Sequence, residues 1–450
     1  MPSFDTRVPA LLVRLDRNPF HHGTLGAARS LGRAGIPVHA LIESLDSPVS
    51  RSRHVRRVHL RPADPSPGAL VGRLLTLSEE LPTPTLLVPL DDVSALTLAR
   101  HRTELTGRYL LPRQSAEGLH RVADKAALAE TCRALSLPHP RTEVPGSADE
   151  AASAAWSLGL PVVAKWSRPW LLPPGTGLRS TAILHSLAEV RELFARTPRA
   201  GSRLLLQELL PAGHGLDWFF HGYVDSAGRC RIGATGRKER SWPDGAGLTA
   251  TGRWSRNPEV ERAAREILAV LGYRGVCDLD FRLDRSTGAY HLLDFNPRPG
   301  AQFRLFTDTS GLDVVRALHL DLTGRPVPDH SPAYGRRFVV ENYAALSMLS
   351  SPARRGPSRP GRHRTEAAWF AVDDPAPAVA MARAWLSHVV PKGLSALGGL
   401  LRAGRTRGRA PGSPPAARRP LPAAGPAVAA EAAPDAGLPG IGPTGPARTG

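Results

Sequence analysis

Two neighbouring segments concentrate the groups that could do chemistry: Cys277-Asp-Leu-Asp-Phe-Arg-Leu-Asp284 and His291-Leu-Leu-Asp-Phe-Asn-Pro-Arg-Pro-Gly300. Polar and apolar residues alternate in both, and successive side chains of a strand point to opposite faces. Asp278, Asp280 and Arg282 therefore share one face of the first segment, and Asp294 and Asn296 share one face of the second. The Asp, Ser and Gly of Asp284–Ala289 suit a hairpin turn. Pairing the two strands then gathers Asp280, Asp294 and Asn296 as three oxygen donors. Such a set suits Mg²⁺, which takes one or two carboxylates and completes an octahedron with water and phosphate oxygens at about 2.0–2.1 Å. A solvated hairpin face is the bland reading. It fits poorly with Leu279, Phe281, Leu293 and Phe295 between the polar positions, which set the polar side chains against a cleft if both faces are covered.

Basic residues give a second signal. The formal net charge is +18, from 58 Lys and Arg against 40 Asp and Glu. Only Lys125, Lys165, Lys238 and Lys392 are lysine, and the arginines are scattered, with local clusters at Arg51–Arg61, Arg354–Arg364 and Arg402–Arg409. Specific nucleic-acid binding would concentrate them on one element and interleave exposed aromatics, so no specific nucleic acid is expected. Where arginine serves for solubility, a retained lysine marks a place that needs a compact ammonium. Lys165 closes the apolar strand Pro161–Lys165, where it needs an anion or solvent.

These groups must be positioned by regular elements. Residues 1–112 alternate apolar runs with helical patterns: strands at Ala10–Leu15, Ile36–Ile42, Thr85–Pro89 and Arg108–Leu111, and a helix near Thr24–Ala34. That pattern implies a parallel α/β sheet. The loop Asp16–Gly26 is not a GxGxxG fingerprint. Residues 113–330 read as helices at Asp124–Leu135, Ala148–Leu158, Leu187–Arg196, Pro258–Leu271 and Leu312–Leu322. Strands are expected at Pro161–Trp166, Thr181–His185, Arg203–Leu210, Trp218–Asp225, Arg231–Thr235 and the two hairpin segments. Residues 331–403 form an extension with a Pro/Gly-rich linker and a helix at Pro377–Val390. Residues 404–450 are Pro, Ala, Gly and Arg without periodicity, hence expected to be disordered and dispensable. No stretch approaches the roughly 20 apolar residues of a membrane span. The three cysteines have no metal or disulfide spacing, which suits a reducing, cytoplasmic setting.

Over roughly residues 10–330 the chain resembles the ATP-grasp superfamily. That resemblance implies a Rossmann-like N-terminal domain followed by a two-lobed α+β domain that clasps ATP. It implies that Asp280, Asp294 and Asn296 hold magnesium, with Mn²⁺ able to substitute, and that Lys125 and Lys165 lie over the phosphates. Gln207-Glu208-Leu209-Leu210 is similar to the interlobe hinge that binds adenine, and Asp217 to the acidic residue on the ribose. Lys238 resembles the lysine reaching the transferred phosphate, although Arg237 and Arg240 compete for that place. Asn296-Pro-Arg298 resembles the ending of many carboxylate–amine ligases, with Arg298 facing the acyl phosphate.

The implied activity joins a small carboxylate to a small amine through an acyl phosphate, releasing ADP and phosphate, in a protein with no membrane partner and room for a homodimer. Carboxylation, as in biotin carboxylase or its purine-pathway relatives, is the alternative within enzymes, and a non-catalytic nucleotide-binding regulator the alternative outside them. One departure stands out. The phosphate-covering loop, usually rich in Gly and Ser, here reads Ser167-Arg-Pro-Trp-Leu-Leu-Pro-Pro-Gly-Thr-Gly-Leu-Arg-Ser180. Its prolines predict a stiffer, bulkier lid. His21, His22, His214 and His221 lack metal spacing and are expected in loops or satisfied core positions.

Overall fold

A computed structural model of the chain describes residues 2–16, 18–242, 247–350 and 364–387. The disordered tail expected at 404–450 and most of the linker before Arg364 lie outside the described residues. Among the described residues no helix is long and apolar enough to cross a membrane.

The first sheet is parallel, with the strand order Arg57–Leu60, Val38–Ile42, Ala10–Val13, Thr85–Pro89, Tyr109–Leu110. Ala10–Val13, Val38–Ile42 and the first four residues of Thr85–Pro89 are buried throughout, as strands covered on both faces should be. Strand order reverses between Ala10–Val13 and Thr85–Pro89, and in open α/β sheets ligands bind beyond the carboxyl ends at such a reversal. The segments leaving those two strands, at Leu15 and Asp16 and at Leu90–Asp92, are held together there. The Asp91 carboxylate accepts the Leu15 and Asp16 N–H groups at 2.5 and 3.0 Å and caps the helix Asp92–Arg100 through Ser94 N–H at 2.7 Å.

Next comes a four-stranded antiparallel sheet ordered Thr142–Glu143, Leu204–Glu208, Val162–Trp166, Thr181–Leu184. The helices Ala148–Leu158 and Leu187–Phe194 cover it and give it a core of its own around Trp166, Leu206 and Val190. The third sheet has seven strands, running Tyr290–Asn296, Gly275–Leu283, Asp217–Val224, Cys230–Trp242, Leu248–Trp254, Arg337–Val339, Thr365–Ala367. Helix Pro258–Val270 packs its apolar stripe on one face through Val260, Ala264, Ile267 and Leu268. Helix Val314–Leu322 shares a continuous core with the first sheet and the helix His22–Arg33 on the other.

Several elements depart from the sequence expectation. Arg57–Leu60, inside the arginine cluster Arg51–Arg61, is an edge strand, where charge is tolerated. Cys230–Trp242 runs seven residues beyond the expected Thr235, because the charged Arg237–Arg240 stretch pairs with Leu248–Trp254 through two irregular steps in register. Residues 331–403, expected as an extension, have the expected helix, over 376–387, but also supply the last two strands of the seven-stranded sheet and the helix Glu341–Ser350.

The segment 364–387 is locked onto the N-terminal helix. Arg29, in the middle of His22–Arg33, donates to the Asp374 carboxylate at 2.9 Å, with the two side chains only 3% and 1% exposed. Its other nitrogens reach the carbonyls of Ala368, Trp369 and Asp374. Breaking a buried ion pair strands the surviving charge. Asp374→Ala should therefore cost about 3–5 kcal/mol in denaturant unfolding; a loss below about 1 kcal/mol, the range of exposed pairs, would contradict the docking described.

Candidate active site

The hairpin predicted from alternation forms, and its register pairs Asp280 with Asp294 and Asp278 with Asn296 across adjacent antiparallel strands. All four side chains thus share one face, opposite the core residues Leu279, Phe281, Leu292 and Phe295. The ladder slips between Asp280 and Phe281, so that Leu292 rather than Leu293 pairs with Phe281. Leu293 is the extra residue of a bulge, the device that re-aims a strand near a site. Its carbonyl accepts the Lys165 ammonium at 3.0 Å.

Four cations converge on this face from separate elements. Lys125, the first residue of the helix Lys125–Ala134, contacts Asp294 at 2.5 Å. Lys238, from the long strand Cys230–Trp242, lies 3.5 Å from Asp280. Lys165 arrives from the four-stranded sheet. Arg298 follows the hairpin and donates to Asn296 Oδ1 at 3.1 Å and to Asp92 at 3.2 Å. The cleft they enclose has a volume of about 1820 Å³ and is lined by the four- and seven-stranded sheets, by the segments leaving the parallel sheet and by residues of the loop from Arg168 to Ser180.

Burial pushes the Asp280 carboxyl up, against the pull of Lys238, and the adjoining Asp278 and Asp294 charges add to the rise. Burial also opposes ionisation of Asp294, but Lys125, Lys165 and Arg298 together hold its carboxyl below the usual range. Burial and the neighbouring Lys125 push Lys165 down to about 8. Lys238 is desolvated too, yet Asp280, Asp217 and Asp278 hold it above the ordinary lysine value. The Asp280 carboxyl resisting ionisation and the Lys165 ammonium shedding its proton are complementary demands. A divalent cation relieves the first and a polyphosphate the second. Among the described residues no three His, Cys, Asp or Glu side chains converge as a metal cluster. The donor set that fits magnesium is two carboxylates and an amide, with room left for phosphate oxygens.

Gln207, Glu208, Leu210 and Asp217 line the same cleft. Their polar ends have protein partners: Gln207 donates to Thr142 Oγ1 at 2.9 Å, and Glu208 accepts from the Arg141 backbone and side chain at 2.9 and 2.8 Å. Asp217 accepts from Arg282 at 2.6 Å, and a second nitrogen of Arg282 reaches the Leu210 carbonyl at 3.0 Å. Arg237 is oriented differently from Lys238, lying 3.9 Å from Glu239, which also takes Arg253 at 2.7 Å and Arg337 at 2.9 Å.

Other residues of the site were not singled out from the sequence. Asp92, placed by the Asp91 cap, holds Arg298 across the cleft, and only the Asp91-Asp92 pair closing an apolar strand hinted at it. His221, expected from the sequence in a loop or a satisfied core position, is fully buried on the neighbouring strand Asp217–Val224, opposite Asp278 and 3.0 Å from it, with neither ring nitrogen in a hydrogen bond. Gly300 packs against both, since a Cβ there would come within 2.2 Å of Asp278 and 2.4 Å of His221. His21 has a structural place, capping its helix through Thr24, and His22 packs in the core beside Phe338, Tyr343 and Trp369, with its Nδ1 unpartnered rather than satisfied.

No family model matches the chain. It is 23% identical over 242 residues to a D-aspartate ligase of Enterococcus faecium, a stretch covering 51% of this chain and 57% of the relative. The chain thus spans little more than half of that protein's length. N5-carboxyaminoimidazole synthetase from Staphylococcus aureus is similar in structure, with a TM-score of 0.57 at 13% identity over 81% of this chain and 93% of that one. The L-amino acid ligase of Bacillus licheniformis matches with a TM-score of 0.56 at 13% identity, covering 73% and 78%. The sheet order, the cleft between the sheets and these likenesses lead to one conclusion: the chain has the fold of the ATP-grasp superfamily.

Proposed function

We propose that this protein is an ATP-dependent carboxylate–amine ligase that forms an amide through an acyl phosphate. The observation that carries the reading is the cross-strand pair Asp280–Asp294, flanked by Lys125, Lys165, Lys238 and Arg298 from separate elements. Asp280, Asp294 and Asn296 would hold magnesium, which supplies charge neutralisation between the β- and γ-phosphates when bound. Lys125 and Lys165 leave their carboxylate and carbonyl partners for the phosphates, and Lys238 steadies the transferred phosphoryl group. The backbone of Glu208–Leu210 offers the adenine contact, since the Gln207 and Glu208 side chains are engaged with Thr142 and Arg141. Asp217, already braced by Arg282, takes the ribose hydroxyls. Arg298 stabilises the acyl phosphate as the amine displaces phosphate. Positioning and electrostatics do the work, and no protein nucleophile is needed.

The likeness to N5-carboxyaminoimidazole synthetase favours ATP-dependent carboxylation as the second reading. ADP release measured with magnesium separates them. Stimulation by pairs of amino acids or small amines, independent of bicarbonate, is expected; stimulation by bicarbonate alone would favour the second.

Asp294→Asn keeps the hairpin but removes a ligand and the partner of Lys125. It should lower ATP turnover by about a hundredfold or more with little change in melting temperature; normal turnover would reject the assignment.

Affinity for a magnesium-bound, non-hydrolysable ATP analogue should depend on pH through Lys165. Its folded-state value, about 8, is depressed, so the free chain loses this charge as pH rises through 8 while the phosphate-bound form retains it. Affinity should then fall by up to about tenfold per pH unit above 8. Calorimetry on Lys165→Met should give weaker binding with a flatter pH profile; an unchanged slope would remove Lys165 from the phosphate site.

A further inference from the structure

The lid departs from the Gly- and Ser-rich pattern, and its anchorage suggests what replaces that backbone freedom. Asp124 is almost completely buried, with 1% of its side chain exposed, yet it carries no metal or substrate role in the scheme above. Its carboxylate works in two directions. One oxygen caps the helix Lys125–Ala134 by accepting Ala126 and Ala127 N–H groups at 3.0 and 3.2 Å, and also takes the Ser167 hydroxyl. The other accepts Arg168 Nε at 2.7 Å. The Lys125 backbone N–H donates to the Ser167 carbonyl at 2.9 Å. Arg168 is braced further by His120, 3.0 Å from its terminal nitrogen, and its backbone N–H reaches Ser202 Oγ at 2.8 Å.

Ser167 and Arg168 are the first residues of the lid, and the turn Pro169–Leu171 follows at once. At the far end, Trp166 donates its indole N–H to the Arg179 carbonyl at 3.1 Å. The loop between is exposed around Gly175 and Gly177 but lines the cleft at Trp170–Pro174. A stiff loop with fixed ends moves as a body about its base. That base is bonded, through one carboxylate and one backbone hydrogen bond, to the turn that aims Lys125.

We infer that Asp124 is a positioning residue that couples the lid to Lys125, so that seating Lys125 on a phosphate and settling the lid over the cleft are a single event. The inference rests on the nucleotide reading of the cleft. Asp124 touches no reacting atom; it acts through Arg168 and Ser167 on one side and through the helix N-terminus on the other. The flexible loop expected in this fold closes by its own backbone freedom. Here the restriction imposed by three prolines is offset by a charged hinge.

Two variants of the full chain test this. Asp124→Asn keeps an acceptable helix cap while removing the charge that holds Arg168. Arg168→Gln removes the arm from the lid side, where the side chain is 44% exposed and tolerates change. Two readouts are used: affinity for a magnesium-bound, non-hydrolysable ATP analogue by calorimetry, and tryptic cleavage after exposed Arg179 with and without that analogue. The bond after Arg168 precedes proline and resists trypsin, so Arg179 reports on the lid. In the unmodified chain the analogue should slow this cleavage at least about tenfold, and each variant should lose most of that protection and about tenfold in affinity. The melting temperature of the free protein should stay close to that of the unmodified chain. The double variant should be little worse than either single one, because both break the same contact.

A helix cap with no coupling role would leave protection intact in Asp124→Asn, and that result overturns the proposal. Full additivity of the two losses overturns it as well. If Asp124→Asn does not fold, Arg168→Gln alone decides, and wild-type protection in that variant overturns the proposal. Absence of analogue binding by the unmodified chain would instead remove the nucleotide reading, and this inference with it.

Discussion

Two carboxylates placed directly opposite each other on adjacent strands are the constraint on which the rest of this structure depends. Asp280 and Asp294 face one another on the bulged hairpin. Like charges at that spacing in a recessed cleft cannot both ionise cheaply. The protein meets this with cations drawn from different parts of the chain: Lys125 on Asp294, Lys238 on Asp280, and Arg298 bracketed between Asn296 and Asp92. The cleft thereby pairs its charges internally, while each of those carboxylates and ammonium groups prefers a stronger partner. Magnesium for the carboxylates and phosphate for the lysines exchange those partners without moving the scaffold.

The scaffold earns its three sheets from that requirement. No single strand or helix could present carboxylates, ammonium groups and a lid from all sides of a triphosphate. The seven-stranded sheet supplies the hairpin and Lys238, the four-stranded sheet supplies Lys165 and the lid, and the parallel sheet supplies Asp92 beyond its carboxyl edge. The core shared between the parallel and seven-stranded sheets, with Arg29–Asp374 sealing it, keeps Asp92 and Arg298 in register across more than two hundred residues of sequence.

The hairpin was legible because a period of two is strong when Asp and Asn alternate with Leu and Phe. Scarce lysines in an arginine-rich chain pointed to Lys125, Lys165 and Lys238, and all three line the cleft. The bulge at Leu293 was not legible, since a backbone carbonyl that receives Lys165 leaves no mark on residue type. The same holds for Gln207 and Glu208. The resemblance implied ligand contacts for them, but their partners are Thr142, in a two-residue strand too short to have a pattern, and Arg141 just before it. Arg57–Leu60 and the second half of Cys230–Trp242 were hidden by charge, which an edge strand and a cleft wall both tolerate. The Arg298–Asp92 contact joins residues far apart in sequence, and only tertiary structure can reveal such a pair.

The central claim is that Asp280, Asp294 and Asn296 form a magnesium site facing a nucleotide held by lysines. It is tested most directly by a crystal structure of the full chain with Mg²⁺ and a non-hydrolysable ATP analogue. The account predicts a metal ion at about 2.0–2.1 Å from carboxylate oxygens of Asp280 and Asp294 and from Asn296 Oδ1. It also predicts that the Lys125 ammonium has left Asp294 for a phosphate oxygen. A metal bound to other side chains, or a nucleotide seated away from these lysines with the Lys125–Asp294 contact intact, would contradict it.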